Sequence, residues 1–182
     1  MQVEFELAEI KRVTPIGEGA RVCIDFIDQL SPTEGVLVGN TGHGYFFVLA
    51  ENRQTDTYPK RPFRVNAGAI HHYIVTDEDK TNYLQEIQPG NHIPVFCEDG
   101  TYRKIPVGRV KIEKRPFVRV EAKVNDHNIS VTMQEADSVH ILGENMEEKQ
   151  VIQLKEGDKV YVKLDQAGRH LGEKIQEEIV EK

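Results

Sequence analysis

Long apolar runs are missing from this chain of 182 residues. The longest, residues 45–50 (YFFVLA), is far short of the ~18 residues that a membrane helix requires. No basic, apolar leader ending in small residues stands at the start, so secretion is not signalled. Cysteine is scarce. Cys23 and Cys97 both fall in apolar, strand-like segments and read as buried thiols of a reducing compartment. No CxxC or HExxH is present, which removes the usual zinc signatures, and GxxxxGK[ST] and GxSxG are absent too. Positive charge is in deficit, 23 Lys and Arg against 30 Asp and Glu, and a net charge of −7 disfavours a generic nucleic-acid binder. Glycine and proline are at ordinary levels, which excludes low-complexity and collagen-like chains. A soluble, globular, cytoplasmic protein is the expectation.

What is present has a period of two. Val22, Ile24 and Phe26 alternate with Arg21, Cys23 and Asp25. Val110 and Ile112, Val118 and Val120, and Val160, Val162 and Leu164 alternate with charged or polar neighbours in the same way. This is the pattern of half-buried strands. Turn formers separate the runs at 17–19, 98–100, 125–126, 143–145 and 156–158, and residues 120–132 predict a hairpin around Asn125-Asp126. Helical pattern is confined to 81–87 and a single turn at 26–30. The fold expected is mainly β: a compact, barrel-like domain of many short antiparallel strands with few short helices. IQPGNHIPV (87–95) echoes LKEGDKVYV (154–162), and KRPFRV (60–65) echoes KRPFVRV (114–120). These echoes leave two organisations open, one domain over 1–182 or two related β units at 1–75 and 83–182. The polar stretches 51–60 and 76–82 are the candidate connections.

Three segments could carry chemistry. In VLVGNTGHGYFFV (36–48), Gly39, Gly42 and Gly44 surround Thr41 and His43 between two strands. Such a loop can bring backbone N–H groups close to an anion, or it can be a plain hairpin connection. The second is RPFRVNAGAIHHY (61–73), where arginine, asparagine and histidine side chains in a strand should face water, a partner or a polar ligand. Strict alternation puts Arg64, Asn66 and His72 on one face, whereas a bulge at Gly68 aligns Arg64 and Asn66 with His71. The third is DQAGRHLG (165–172), which sets Arg169 and His170 in a glycine-punctuated turn. Each of the three also reads as an incidental charged turn or edge.

GNTGHGYFF (39–47), RPFRVNAGAIHHY (61–73), VGRVKIEKRPFVRVEA (107–122) and GRHLGEKIQEEIVEK (168–182), in this order and spacing, resemble the C-terminal half of the archaeal-type 3-dehydroquinate synthase II family. Members of that family carry a further N-terminal half with no counterpart here. The resemblance implies NAD-dependent oxidative deamination of an amino-dideoxy-heptulosonate, then aldol closure to 3-dehydroquinate. A sister activity yields 3-amino-4-hydroxybenzoate, and the motifs do not separate the two.

Such a reaction needs positioned acid/base groups near neutral pH and donors for a hydroxyl-rich keto sugar. His71 and His170 suit proton transfer, and Arg64, Asn66, Arg169 and His43 suit substrate contacts. Gly39, Thr41, Gly42 and Gly44 would approach the NAD cofactor or the substrate. The expected partners are an amino sugar and a missing N-terminal domain or subunit, with homo-oligomerisation plausible and no membrane. No motif calls for a divalent metal, although sparse Asp and His ligands need none. Two other readings compete with catalysis: a stand-alone ligand-binding or regulatory module, and an RNA or protein contact built on the local basic run 103–119.

Overall fold

The computed structural model describes residues 2–165, 169–170, 173–174 and 179–182, with backbone alone for 169–170 and 173–174. Fourteen strands form one antiparallel sheet among these residues. In chain order they are β1 (Glu6–Phe26), β2 (Gly35–Gly39), β3 (Gly44–Glu51), β4 (Arg61–Ala69), β5 (Tyr73–Asp77), β6 (Lys80–Tyr83) and β7 (His92–Phe96). There follow β8 (Tyr102–Val124), β9 (His127–Gln134), β10 (His140–Leu142), β11 (Glu148–Gln150), β12 (Lys159–Leu164), β13 (Arg169–His170) and β14 (Glu173–Lys174). The helical content described is three single 3-10 turns, Leu84–Glu86, Glu144–Met146 and Val151–Gln153.

The pairings close on themselves. β3 pairs with β12, β12 with β1, β1 with β8, β8 with β7, β7 with β2, and β2 returns to β3. β4 adds a second bridge from the C-terminal end of β1 to β3. The barrel-like, mainly β expectation therefore holds. Alternation sets the inner face: Val22, Ile24, Val65, Val120, Val131, Val160 and Val162 are all fully buried in one core. β2 and β3 are buried along their whole length, because Leu37, Tyr45, Phe47 and Leu49 pack on the opposite side in a second cluster with Phe96 and Leu142.

The echo between 87–95 and 154–162 is structural. Gly90 N–H donates to the Val107 carbonyl and Val107 N–H to that of Asn91, at 2.8 Å each. Gly157 N–H donates to Ile10 O at 2.9 Å and Ile10 N–H to Asp158 O at 2.7 Å, the same pattern on the other long strand. Each motif follows a 3-10 turn, has a left-handed glycine (φ 92° and 94°) and leads into a strand paired with β8 or β1. The β1-β4-β5-β6-β7 and β8-β9-β10-β11-β12 series are thus related by an approximate two-fold that exchanges β2 and β3. The KRPF echo is different. Arg61 opens β4 while Arg115 lies in the middle of β8, so these positions are not equivalents.

Some local expectations are corrected. Residues 17–19 do not end a strand. β1 runs through them with a register shift between Pro15 and Gly17, and β8 likewise continues through 114–117. The two strands template each other over this distance, and that long-range pairing overrides the local turn formers. Residues 81–87 are a strand end and one 3-10 turn, and 26–30 are the end of β1 and a bend. The predicted hairpin is present: Val124 pairs with His127, and Asn125 takes φ 54° in the two-residue turn.

Candidate active site

The outward positions of β1 begin the site. Because side chains alternate, Arg21, Cys23 and Asp25 face away from the core that holds Val22 and Ile24. Their neighbours in register are Glu113, Lys111 and Arg109 on β8, and Asn66 and Arg64 lie opposite Cys23 and Asp25 on β4. Three adjacent strands thus build a polar face where burial would otherwise favour apolar groups. Arg64 grips Asp25 with two bonds, Nε to Oδ1 at 2.7 Å and Nη2 to Oδ2 at 3.1 Å, and Arg109 Nε adds a third at 2.7 Å. Burial alone would raise the Asp25 carboxyl, but these charged donors overcome it and hold it below the usual range. Burial pushes the Cys23 thiol up to about 12, so it is no nucleophile at neutral pH.

β9 extends this face. Ser130, Thr132 and Gln134 alternate with the core residues Val131 and Met133, and all three are buried. Gln134 Oε1 accepts from Arg21 Nη1 at 2.6 Å and from Asn66 Nδ2 at 2.8 Å. Two residues back, about 7 Å along the strand, Thr132 Oγ1 donates to Asn40 Oδ1 at 2.9 Å. Asn40 Nδ2 donates to Ser130 Oγ at 3.0 Å. His71 completes the group, with Nε2 2.7 Å from the same Asn40 Oδ1. An amide oxygen only accepts, so His71 Nε2 carries the proton and Nδ1 keeps its lone pair. Burial lowers the His71 pKa, and nearby Arg119, opposite Thr132 in register, lowers it further. His71 is therefore a neutral imidazole with an available basic nitrogen at pH 7. Ser130 and Arg119 line a cleft of about 730 Å³ that Thr41, Glu121 and Glu181 also border, a size suited to a small-molecule substrate.

The bulge decides between the two histidines. Between Val22 and Cys23 the register slips by one residue at β4, and Gly68 takes φ 95° there. A Cβ at Gly68 would lie 2.5 Å from the His72 ring and from Thr132 O, so only glycine permits this crossing. His72 is driven into the interior, fully buried, where Nδ1–H donates to Ala67 O at 2.9 Å and Nε2 accepts Thr132 N–H at 2.9 Å. Complete burial, with His71 alongside, pushes its pKa down to about 3. His71 is left at the surface, its ring partly covered by Asn40 and His72.

The glycine loop lies against this group. Gly39 and Gly44 serve the hairpin itself: a Cβ on Gly39 would run into the Gly44 carbonyl, and one on Gly44 would come within 2.9 Å of Ile129. Thr41 Oγ1 meets His43 Nδ1 at 3.0 Å, which turns His43 toward the loop. Gly42 N–H does contact an anion. It donates at 2.6 Å to the carboxylate of Glu181, whose other oxygen accepts the Tyr73 hydroxyl at 2.7 Å. Glu181 is thus anchored.

Of the residues singled out in the sequence, His71 bonds Asn40, while Thr41 follows Asn40 in the loop and bonds His43. Arg64 and Asn66 share the outer face with Arg21. Arg169 and His170 form the backbone of β13, and their side chains lie outside the described residues. Asn40, Arg119, Thr132, Gln134 and Arg21 were missed. For all but Asn40, which lies in the loop after β2, the signal was polar residues on the alternate positions of otherwise apolar strands. Among the described residues no group of three His, Cys, Asp or Glu side chains is placed to hold a metal ion. Among the described residues no helix is long and apolar enough to cross a membrane.

Comparison with known proteins places the chain in a family. A family model described as the 3-dehydroquinate synthase II C-terminal domain matches residues 7–182. A 3-dehydroquinate synthase of Methanocella arvoryzae is 43% identical over 173 residues, covering 95% of this chain and 46% of its own length. The enzymes so named from Methanosarcina barkeri and Methanococcus maripaludis (strain S2) are 41% and 40% identical over 181 and 180 residues, covering 100% and 99% of this chain and 47% and 50% of their own. The chain thus spans about half the length of the curated relatives it matches. No solved structure matches. Matched over nearly its whole length, the chain belongs to the 3-dehydroquinate synthase II C-terminal domain family.

Proposed function

We propose that this domain supplies the proton-transfer part of a 3-dehydroquinate synthase II-type active site, completed by a counterpart of the relatives' other half. The observation that carries the reading is the His71–Asn40–Thr132 arrangement, an oriented neutral imidazole near Arg119, which itself lines a substrate-sized cleft. The reaction is NAD-dependent oxidative deamination of an amino-heptulosonate and aldol closure to 3-dehydroquinate, in a soluble, cytoplasmic setting. NAD, when bound, supplies the hydride acceptor for oxidation at the amine-bearing carbon. Its phosphates fit the cavity rich in arginine on the outer face; the Gly42 N–H is taken by Glu181.

The chain's own residues account for the proton movements. Hydrolysis of the imine adds water and releases ammonia, and aldol closure requires a carbon beside a ketone to lose its proton first. His71 Nδ1 removes that proton, and the imidazolium formed keeps its Nε2–H on Asn40. Arg119 faces the negative charge that develops on the enolate oxygen. His170 serves as the second acid/base, with Arg169, Asn66 and His43 as orienting donors and Arg64 held ready by Asp25.

The test is calorimetric titration of the chain with NAD⁺ and with the amino-heptulosonate, followed by turnover when the N-terminal half of a relative is added in trans. Micromolar binding of either ligand is expected. His71→Ala should then lower kcat by about 10²–10⁴-fold with little change in binding. Full turnover by His71→Ala, or no binding and no turnover with the added half, would overturn the reading.

A further inference from the structure

The outer face holds a second cavity, about 150 Å³ and separate from the cleft beside Arg119. Five cations line it: Arg21, Arg61, Arg64, Lys111 and Arg115. Glu51 and Glu113 are the carboxylates among its lining residues and Arg64 is already paired with Asp25, which leaves an excess of two positive charges in a chain whose net charge is −7. Three of the five cations lean on Glu113: Arg115 Nη2 at 2.6 Å, Arg21 Nη2 at 3.0 Å and Lys111 Nζ at 3.4 Å. Glu51 is buried, which raises its pKa, while the charges of Arg64, Arg61 and Arg21 act against that rise.

Two groups point to a missing anion. The Arg21 side chain is 8% exposed, and its buried Nε has no hydrogen-bond partner among the described residues. Arg61 makes no ion pair among them either, its guanidinium lying 6.0 Å over the Tyr58 ring. Like charges gathered at a buried donor are unfavourable unless an anion joins them. The two KRPF segments, unrelated by the internal two-fold, send Arg61 and Arg115 into this one cavity.

We propose that this cavity is a binding site for a phosphoryl or pyrophosphoryl group of a small molecule. One guanidinium fork satisfies a carboxylate, whereas an excess of two charges around a volume this small matches the two charges of a phosphate. Arg61, Arg115 and the Arg21 Nε–H are the donors, and Glu113 is the internal competitor that the ligand displaces.

The experiment titrates the full chain with orthophosphate, pyrophosphate and, as a carboxylate control, acetate, at two salt concentrations. Saturable, salt-sensitive binding of phosphate or pyrophosphate, well above that of acetate, is expected. Arg61→Ala and Arg115→Ala, both partly exposed and away from the core, should each weaken it about tenfold. Glu113→Gln should tighten it, a sign that a merely structural role would not produce. Competition by NAD⁺ would identify the phosphates as the dinucleotide's, and its absence would identify a separate phosphorylated ligand; either result keeps the site. No saturable binding, acetate binding equal to phosphate, or affinity unmoved by all three substitutions would overturn the proposal. Because the readout is phosphate affinity alone, its failure is distinct from failure of the His71 reading.

Discussion

His72 assigns opposite roles to its two nitrogens, donating from Nδ1 to Ala67 O and accepting Thr132 N–H at Nε2. A second proton would break the Thr132 bond, and complete burial with His71 alongside brings the folded pKa down to about 3. In the unfolded chain the same ring titrates near 6.5. Below that pH the unfolded state binds a proton that the folded state refuses, and stability falls by about 1.4 kcal/mol per pH unit until the folded pKa is reached. Burial also lowers the pKa of His71 and His140, so they act in the same direction. Urea unfolding at pH 7 and pH 5 should show a loss of about 2 kcal/mol attributable to His72. His72→Gln, which can keep both bonds without titrating, should remove most of that difference. An unchanged pH dependence would show that the ring does not hold this position neutral. At Asn40 the sign is opposite: Asn40→Asp places a carboxylate on His71 Nε2, raises the imidazole pKa, and should move the acid limb of the kcat/KM profile to higher pH. Much of this was legible in advance, since His71 and the glycine loop stood out by residue type. The choice between His71 and His72 was not, because it depends on a one-residue slip at Gly68 that two alternation patterns described equally well.

The β2–β3 hairpin carries Asn40, and two kinds of glycine show how such elements are specified. At Gly39 the obstacle is space, since an added Cβ collides with backbone across the hairpin. At Gly157 space is open, with nothing within 4 Å, and the obstacle is φ 94°. Gly157→Ala should therefore cost about 1–2 kcal/mol through backbone conformation alone. Gly39→Ala forces the strands apart, so it should cost about 3 kcal/mol and also perturb His71 through Asn40. Thermal denaturation of the two variants ranks them, and equal losses would contradict this distinction. Strand existence was readable from alternation, but strand length was not. The pairing of β1 with β8 carries both through Gly17 and Pro116, and a local reading stops at such residues.

At the scale of the molecule, the two-fold couples the halves instead of separating them. β7 of the first series pairs with β8 of the second, β12 of the second pairs with β1 of the first, and β1 and β8 pair along most of their length. Neither series can close a ring or cover the core residues of β1 and β8 by itself. Sequence showed the repeated motif but not this exchange, because the partner of a strand is set by contacts far along the chain. A cut in the β7–β8 turn, giving fragments 1–98 and 99–182, tests the consequence. Each fragment alone exposes unpaired strand edges and half a core, and should give the circular dichroism and amide spectra of an unfolded or aggregating chain. Mixed from denaturant, the two should recover the native spectrum and unfold together in one transition, at a lower temperature than the intact chain, because association replaces a short connection. A fragment that folds alone with a cooperative transition would show that the ring is not the folding unit, and that the closure through β1 and β8 contributes little to stability.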